Sequence, residues 1–293
     1  MKSPAAANLG LARALRSAAA GLLVASVVMT GAAPAAAEHP EISARRSAER
    51  KVFTDAQIAA GFFRVAFGSE LGFREGSNRI RKYTKPVRVY IENNASPDRA
   101  PAIRAIVADI GARIANLDIA VTDRRHEANV IVRLVRDHDL ETTIRRLYGQ
   151  RGEKIVKSLE PQCLSGFSRD PSYRIVRSDV ILVADAGEFI FRDCAYEELL
   201  QALGPIQDTD KIGWTMFNDN VQMGFFGVYD QYLLNILYHP AVKPGMTPAE
   251  VRKRLPQIMP DVRAFVARNN GLNPKPPPRR KPPARKPLRK QAR

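Results

Sequence analysis

Residues Cys194 to Asp208 read C-A-Y-E-E-L-L-Q-A-L-G-P-I-Q-D, and the placing of the rest of the chain follows from them. Leu199, Leu200 and Leu203 supply an apolar side, and Glu197 and Gln201 stand four residues apart, so they project together from one helical face. Glu198 sits beside them. Gly204 offers a residue that can end the helix and let the chain turn back. The spacing predicts a helix over 193–203 whose polar face carries Glu197, Glu198 and Gln201.

Outward from this helix, Arg174 to Ala184 reads as a strand that closes on the apolar run Val180-Ile181-Leu182-Val183. Pro86 to Ile91 alternates as a strand does, and Asp118–Thr122 and Ala128–Val135 are further strand candidates. Between them, Ile103, Ile106, Val107, Ile110 and Ile114 recur at helical spacing within 98–115. Leu140 to Tyr148 reads as a short helix, and Gly149 to Asp170, which contains Cys163, as irregular chain. Near the start, Thr54 and Gln57 form a capping box with Phe53 as a staple, followed by Ile58, Phe62 and Val65 on one face. Near the end, Tyr229–Leu237 and Thr247–Ala267 are helical, the second opened by the capping box Thr247-Pro248-Ala249-Glu250. This order defines an α/β (α+β) fold with a mixed sheet, an N-terminal helix, a central motif helix and a C-terminal helical part. A single domain over 53–270 is expected, without internal repeats.

The two ends differ from this middle. Lys2, Arg13 and Arg16 precede the apolar run Ala18–Thr30, and Ala35-Ala36-Ala37 supplies small residues before Glu38, the pattern of a cleaved secretory signal peptide over 1–37. An uncleaved anchor helix is the alternative. The expectation is a periplasmic or secreted protein cut near Ala37. Residues 38–52 are polar and charged, and a flexible lead-in is expected there. The segment 271–293 is rich in proline and carries nine cations from Lys275 onward, so a disordered tail with polyproline II bias is expected. The formal charge of +16 therefore resides mostly in the ends, with three cations before residue 38 and nine in the tail, and the middle is only mildly basic. The tail suits an anionic envelope polymer or lipid surface. Nothing in the folded part patterns as a nucleic-acid reader. In an exported chain the two cysteines, Cys163 and Cys194, are expected to pair, two buried free thiols being the alternative.

From Glu197 the motif resembles the zinc-peptidase helix H-E-x-x-H-x-x-G-x-x-H-D, with Glu197, Gln201 and Gln207 at the three ligand positions and Glu198 at the general-base position. Gly204 and Asp208 fall on that frame. The resemblance implies a zincin-like fold over roughly residues 84–246. It sets strand 174–184 where the edge strand of the metzincin branch precedes the motif helix, and Tyr238 and Met246 near the place of that branch's methionine turn. E-E-L-L-Q-A-L-G-P-I-Q-D, M-F-N-D-N and L-Y-H-P-A-V-K-P-G-M also resemble an uncharacterised family of secreted and lipoprotein-type proteobacterial proteins, a domain of unknown function.

The chemistry of the replacements decides what such a frame can still do. Zinc prefers imidazole and thiolate, and one carboxylate with two amides is a poor set for it. Calcium or magnesium accepts such oxygens but takes more carboxylates, for which Asp208 and Asp210 are the candidates. The histidines, 39, 126, 138 and 239, are dispersed, so no metal and no cofactor is expected. Ser165 in L-S-G-F lacks a nucleophile-elbow frame. Asp208, Asp210 or Asp219 joining Glu198 around a cleft would be needed for carboxylate catalysis. The reading is a non-catalytic, metallopeptidase-like binding domain of the cell envelope, with Glu197, Glu198, Gln201, Gln207 and Asp208 at the site. An extended peptide or envelope protein is its expected partner in the former cleft between strand 174–184 and helix 193–203. The alternatives are a hydrolase using Glu198 with an unrecognised metal or second carboxylate, and an envelope structural protein acting through its basic tail.

Overall fold

In the computed structural model, which describes residues 38–67, 78–159, 162–205 and 207–272, five strands pair into one mixed sheet. They are β1 (Val87–Asn93), β2 (Ile119–Val121), β3 (Val130–Val135), β4 (Cys163–Arg169) and β5 (Ile175–Val183). Their order is β2-β1-β3-β5-β4, with the first four parallel and β4 antiparallel to β5. The register sets Val89 beside Val130, Val132 beside Val180, and Ser165 beside Val180 from the other side. The expected signal peptide, and all of the expected tail beyond Leu272, lie outside the described residues.

Eight helices accompany the sheet among the described residues: α1 (Pro40–Ala48), α2 (Asp55–Ala66), α3 (Ala100–Arg113), α4 (Leu140–Tyr148), α5 (Gln150–Leu159), α6 (Glu188–Gln201), α7 (Val228–Tyr238) and α8 (Pro248–Asn269). The architecture is thus the α/β class expected from the order of elements. Both capping boxes form as read, Thr54 with Gln57 and Thr247 with Glu250. One sheet face, through Val89, Val132, Val180 and Leu182, joins the main core with Ile103, Ile106 and Ile110 of α3 and Phe191 and Leu199 of α6. Leu164, Ile181 and Val183 serve a second core under α4 and α5, closed by Leu140, Ile144, Ile155 and Val156.

Three expectations are corrected. Residues 38–52 contain helix α1, not a flexible lead-in. His39 caps it by accepting from the Glu41 N–H at 3.3 Å, Pro40 opens it, and Ile42 is fully buried. A single apolar residue makes no periodicity, so the sequence pattern was silent there. Residues 149–170 are not irregular but form α5 and β4. Gly149 ends α4 at φ +56°, and Gly152 lets α5 pack closely against it: a Cβ on Gly152 would lie 2.6 Å from the carbonyl oxygen of Ile144. Third, strand 174–184 is not an edge strand. Its run Val180–Val183 is apolar on both sides because β5 lies inside the sheet, between β3 and β4. The edge falls to β4, which carries Ser165 and Ser168 among its residues.

Candidate functional site

Helix α6 is the support of the site, and its C-terminal end is firmly held. The Ser178 hydroxyl donates to the carbonyl of Ala202 at 2.8 Å, and the Tyr238 hydroxyl donates to that of Leu203 at 2.9 Å. Tyr83 joins through a hydroxyl contact of 2.8 Å with Ser178. All three side chains are buried, where such bonds have no water to compete with. Gly204 then takes φ +140°, and a Cβ there would sit 2.3 Å from the backbone oxygen of Arg81. Only glycine accepts both the conformation and the approach. The chain turns back at this point towards Gln207 and Asp208.

The other end of the site is fixed by covalent chemistry. Cys163 and Cys194 form a disulfide across a sequence separation of 31, tying the start of β4 to the middle of α6. Gln201 reinforces the tie: its amide oxygen accepts from the Ser165 hydroxyl at 3.3 Å and its nitrogen donates to Asp208 Oδ1 at 2.8 Å.

Between β4, α6 and the chain after α6 lies a cavity of about 320 Å³. Asp193, Glu197, Glu198, Gln201, Asp208 and Asp219 line it, with Cys163 and Leu164 on the β4 side. A wider trough of about 580 Å³ adjoins it, sharing Asp208 and Asp219 and adding Arg64, Gln207 and Thr209. Carboxylate oxygens of Glu197, Asp208 and Asp219 come within 4.8 Å of one another, and among the described residues no other such trio of histidine, cysteine or acidic side chains occurs. These three are the residues that could hold a cation, and their hard oxygens suit calcium or magnesium better than zinc.

The sequence-derived site residues thus divide. Glu197, Glu198, Gln201 and Asp208 meet in one cavity, whereas Gln207 lines the neighbouring trough and donates to the Asp208 carbonyl at 3.2 Å. Asp208, one residue on, meets Gln201 instead. Asp210 pairs with Lys211 at 2.7 Å and stays out of the trio, and its place is taken by Asp219. Tyr238 and Met246 do not line the cavity: Tyr238 holds the α6 end, and the Met246 carbonyl accepts from the Ile80 N–H at 2.9 Å. The cleft wall is β4, not β5.

Sequence reading missed Asp193. Its Oδ1 accepts the N–H groups of Met223 and Gly224 at 2.6 and 2.8 Å, fixing the stretch whose Asp219 and Val221 form the third wall. Burial pushes its pKa up, and the two N–H bonds and the Arg45 charge oppose that rise. No local signal marks such an acid, because its partners lie 30 and 31 residues away.

Fold and site together define an α/β protein with an acidic cleft between an edge strand and a buried central helix. The family model of a protein of unknown function, DUF2927, matches residues 55–257, and the chain belongs to that family. No curated protein matches it.

Proposed function

We propose that the chain is an exported, zincin-like domain that has lost the zinc ligands and acts by binding an extended peptide segment in the β4–α6 cleft. The observation that carries this reading is the position of β4. It pairs on one side only and leads directly into the acidic cavity through Cys163 and Leu164. An extended segment can add to such an edge through its main chain, and the carboxylates select for cationic side chains. The zincin-like part is supported by four parallel strands closed by one antiparallel edge strand, β4, with the interior strand β5 leading directly into the helix that bears E-E-L-L-Q. Export is supported by the pattern of residues 1–37, by a compact unit that begins at Glu38, and by a disulfide, which persists in oxidising compartments. No helix among the described residues is long and apolar enough to cross a membrane. The nine cations from Lys275 onward would hold the protein to an anionic envelope surface.

The test is titration of protein spanning residues 38–293 with a library of fluorescent octapeptides containing Lys and Arg. Binding is expected, and N-methylation of alternate peptide amides should weaken it by at least about tenfold, because strand addition needs those donors. Equal binding of the methylated peptides, or none by any peptide, overturns the reading. Stoichiometric zinc in protein purified without a His tag, abolished by Glu197→Ala or Glu198→Ala, would replace it with the hydrolase reading. Amino-terminal sequencing of the exported protein should begin at Glu38, and deletion of 274–293 should release it from envelope fractions.

A further inference from the structure

Helix α1 precedes the matched residues 55–257, yet its side chains reach the third wall of the cleft. The Arg45 Nη1 donates to the carbonyl of Gln222, a residue that lines the cavity. Its guanidinium also lies over the Phe189 ring, 4.9 Å from the centroid. One turn earlier, Ile42 is fully buried against Gly224, where an added Cβ would come within 2.9 Å of Ile42 Cγ1. Gly224 takes φ +73°, so both its conformation and its contact with Ile42 favour glycine. Further along, Arg46 lies 4.3 Å from the Phe225 ring centroid, and Glu49 accepts the Val228 N–H at the start of α7. These contacts run in order along 222–228.

We infer that residues 38–51 are a positioning strap for the candidate site, with Arg45 as its key residue, which clamps the wall 219–224 against α6. The wall is gripped from two sides. Asp193 of α6 takes the N–H groups of Met223 and Gly224, and Arg45 of α1 takes the preceding carbonyl. Burial raises the Asp193 carboxyl pKa, and Arg45 faces it closely enough for its charge to oppose that rise. The two charges are therefore complementary across the backbone they share, and charge-assisted bonds of this kind are the stronger ones. A wall held only by Asp193 would lose its anchor at Gln222, next to Val221 and Asp219, and the N–H bonds of Met223 and Gly224 to Asp193 would open more often. The strap thereby sets how wide the acidic cavity stands. This deepens the reading of the cleft as a binding site and rests on it for the meaning of the wall, though the contacts themselves do not.

Hydrogen–deuterium exchange on the 38–293 protein tests the strap without any ligand. Arg45→Ala should speed exchange of the Met223 and Gly224 amides about tenfold, the local equivalent of losing one charge-assisted bond, while amides of β3 such as Val132 stay as slow as before. The same variant should change octapeptide affinity by a similar factor. Unchanged exchange at 223 and 224 overturns the inference, as does equal acceleration in the wall and in β3, which would mean general destabilisation. Should Arg45→Ala fail to fold, Arg45→Lys carries the comparison: it keeps the charge towards Asp193 but loses the fork geometry, and the Met223 and Gly224 amides should exchange faster than in the parent while those of β3 do not. Failure of all peptide binding with the exchange pattern intact would sink the function proposed above and leave the strap standing.

Discussion

Two sets of carboxylates serve α6 and the chain that follows it, and they do opposite work. Asp193, Asp230 and Glu49 are structural: each accepts backbone N–H groups from the chain that follows α6, at Met223 and Gly224, at Met216, and at Val228. Burial pushes the pKa of all three up, to about 7 for Asp230. Glu197, Asp208 and Asp219 are gathered instead around open space, with oxygens within 4.8 Å of one another. The first set trades solvation for a fixed wall. The second leaves like charges together, an arrangement with an electrostatic cost. Residue type is the same in both sets, and only the partners distinguish frame from site.

The largest effect expected on this division comes from the staple that joins the two cleft walls. Replacing Cys163 and Cys194 by serine opens a loop with a separation of 31 residues. It should cost about 3–4 kcal/mol in urea unfolding by the loop-closure estimate. A loss below about 1 kcal/mol would mean that packing alone holds β4 to α6.

Next is the pH dependence carried by Asp230. Its folded pKa is raised from 3.8 to about 7 by burial, with the bonds from Thr215 and Met216 working against the rise. Between these values the folded chain holds a proton that the unfolded chain has lost. Stability from this group is therefore present at low pH and falls as pH rises towards 7, by roughly 3 kcal/mol. Asp230→Asn should flatten that slope in unfolding measurements at pH 4, 5, 6 and 7, and parallel curves for the two proteins would remove Asp230 from the frame set. A smaller loss is expected from Asp193→Ala, about 2 kcal/mol, since it leaves the buried N–H groups of Met223 and Gly224 without an acceptor. An unchanged midpoint would show that water replaces the carboxylate and that the wall does not depend on it.

What was legible in the sequence follows the range of each interaction. Capping boxes, the alternation of β1 and the i, i+4 face of α6 are local, and they stand where the pattern put them. The expectation of an oxidising compartment paired Cys163 with Cys194, and the disulfide is present. The run Val180–Val183 held the information that β5 is interior, because apolar residues on both faces need cover on both sides. Helix α1 was hidden because one buried Ile42 makes no period, and β4 because Ser165, Gly166 and Ser168 leave Cys163–Arg169 with little β-branched or aromatic content. The acids resisted most. Whether Asp208 or Gln207 meets Gln201 depends on how the chain returns after Gly204, and whether Asp193 binds or supports depends on amides 30 residues away.

The smallest expected effect is the most discriminating. Asp219 is exposed and shares its surroundings with Glu197 and Asp208. If it belongs to the site, Asp219→Asn removes one like charge from a crowded trio and breaks no backbone support. Unfolding free energy should then stay within about 0.5 kcal/mol of the parent or rise slightly. Affinity for Lys- and Arg-containing octapeptides should fall in the same protein. A loss of stability above about 1 kcal/mol would place Asp219 with Asp193 and Asp230 as part of the frame. The cavity would then lose the carboxylate that the wall contributes, and with it the reason for holding that wall in place from two helices.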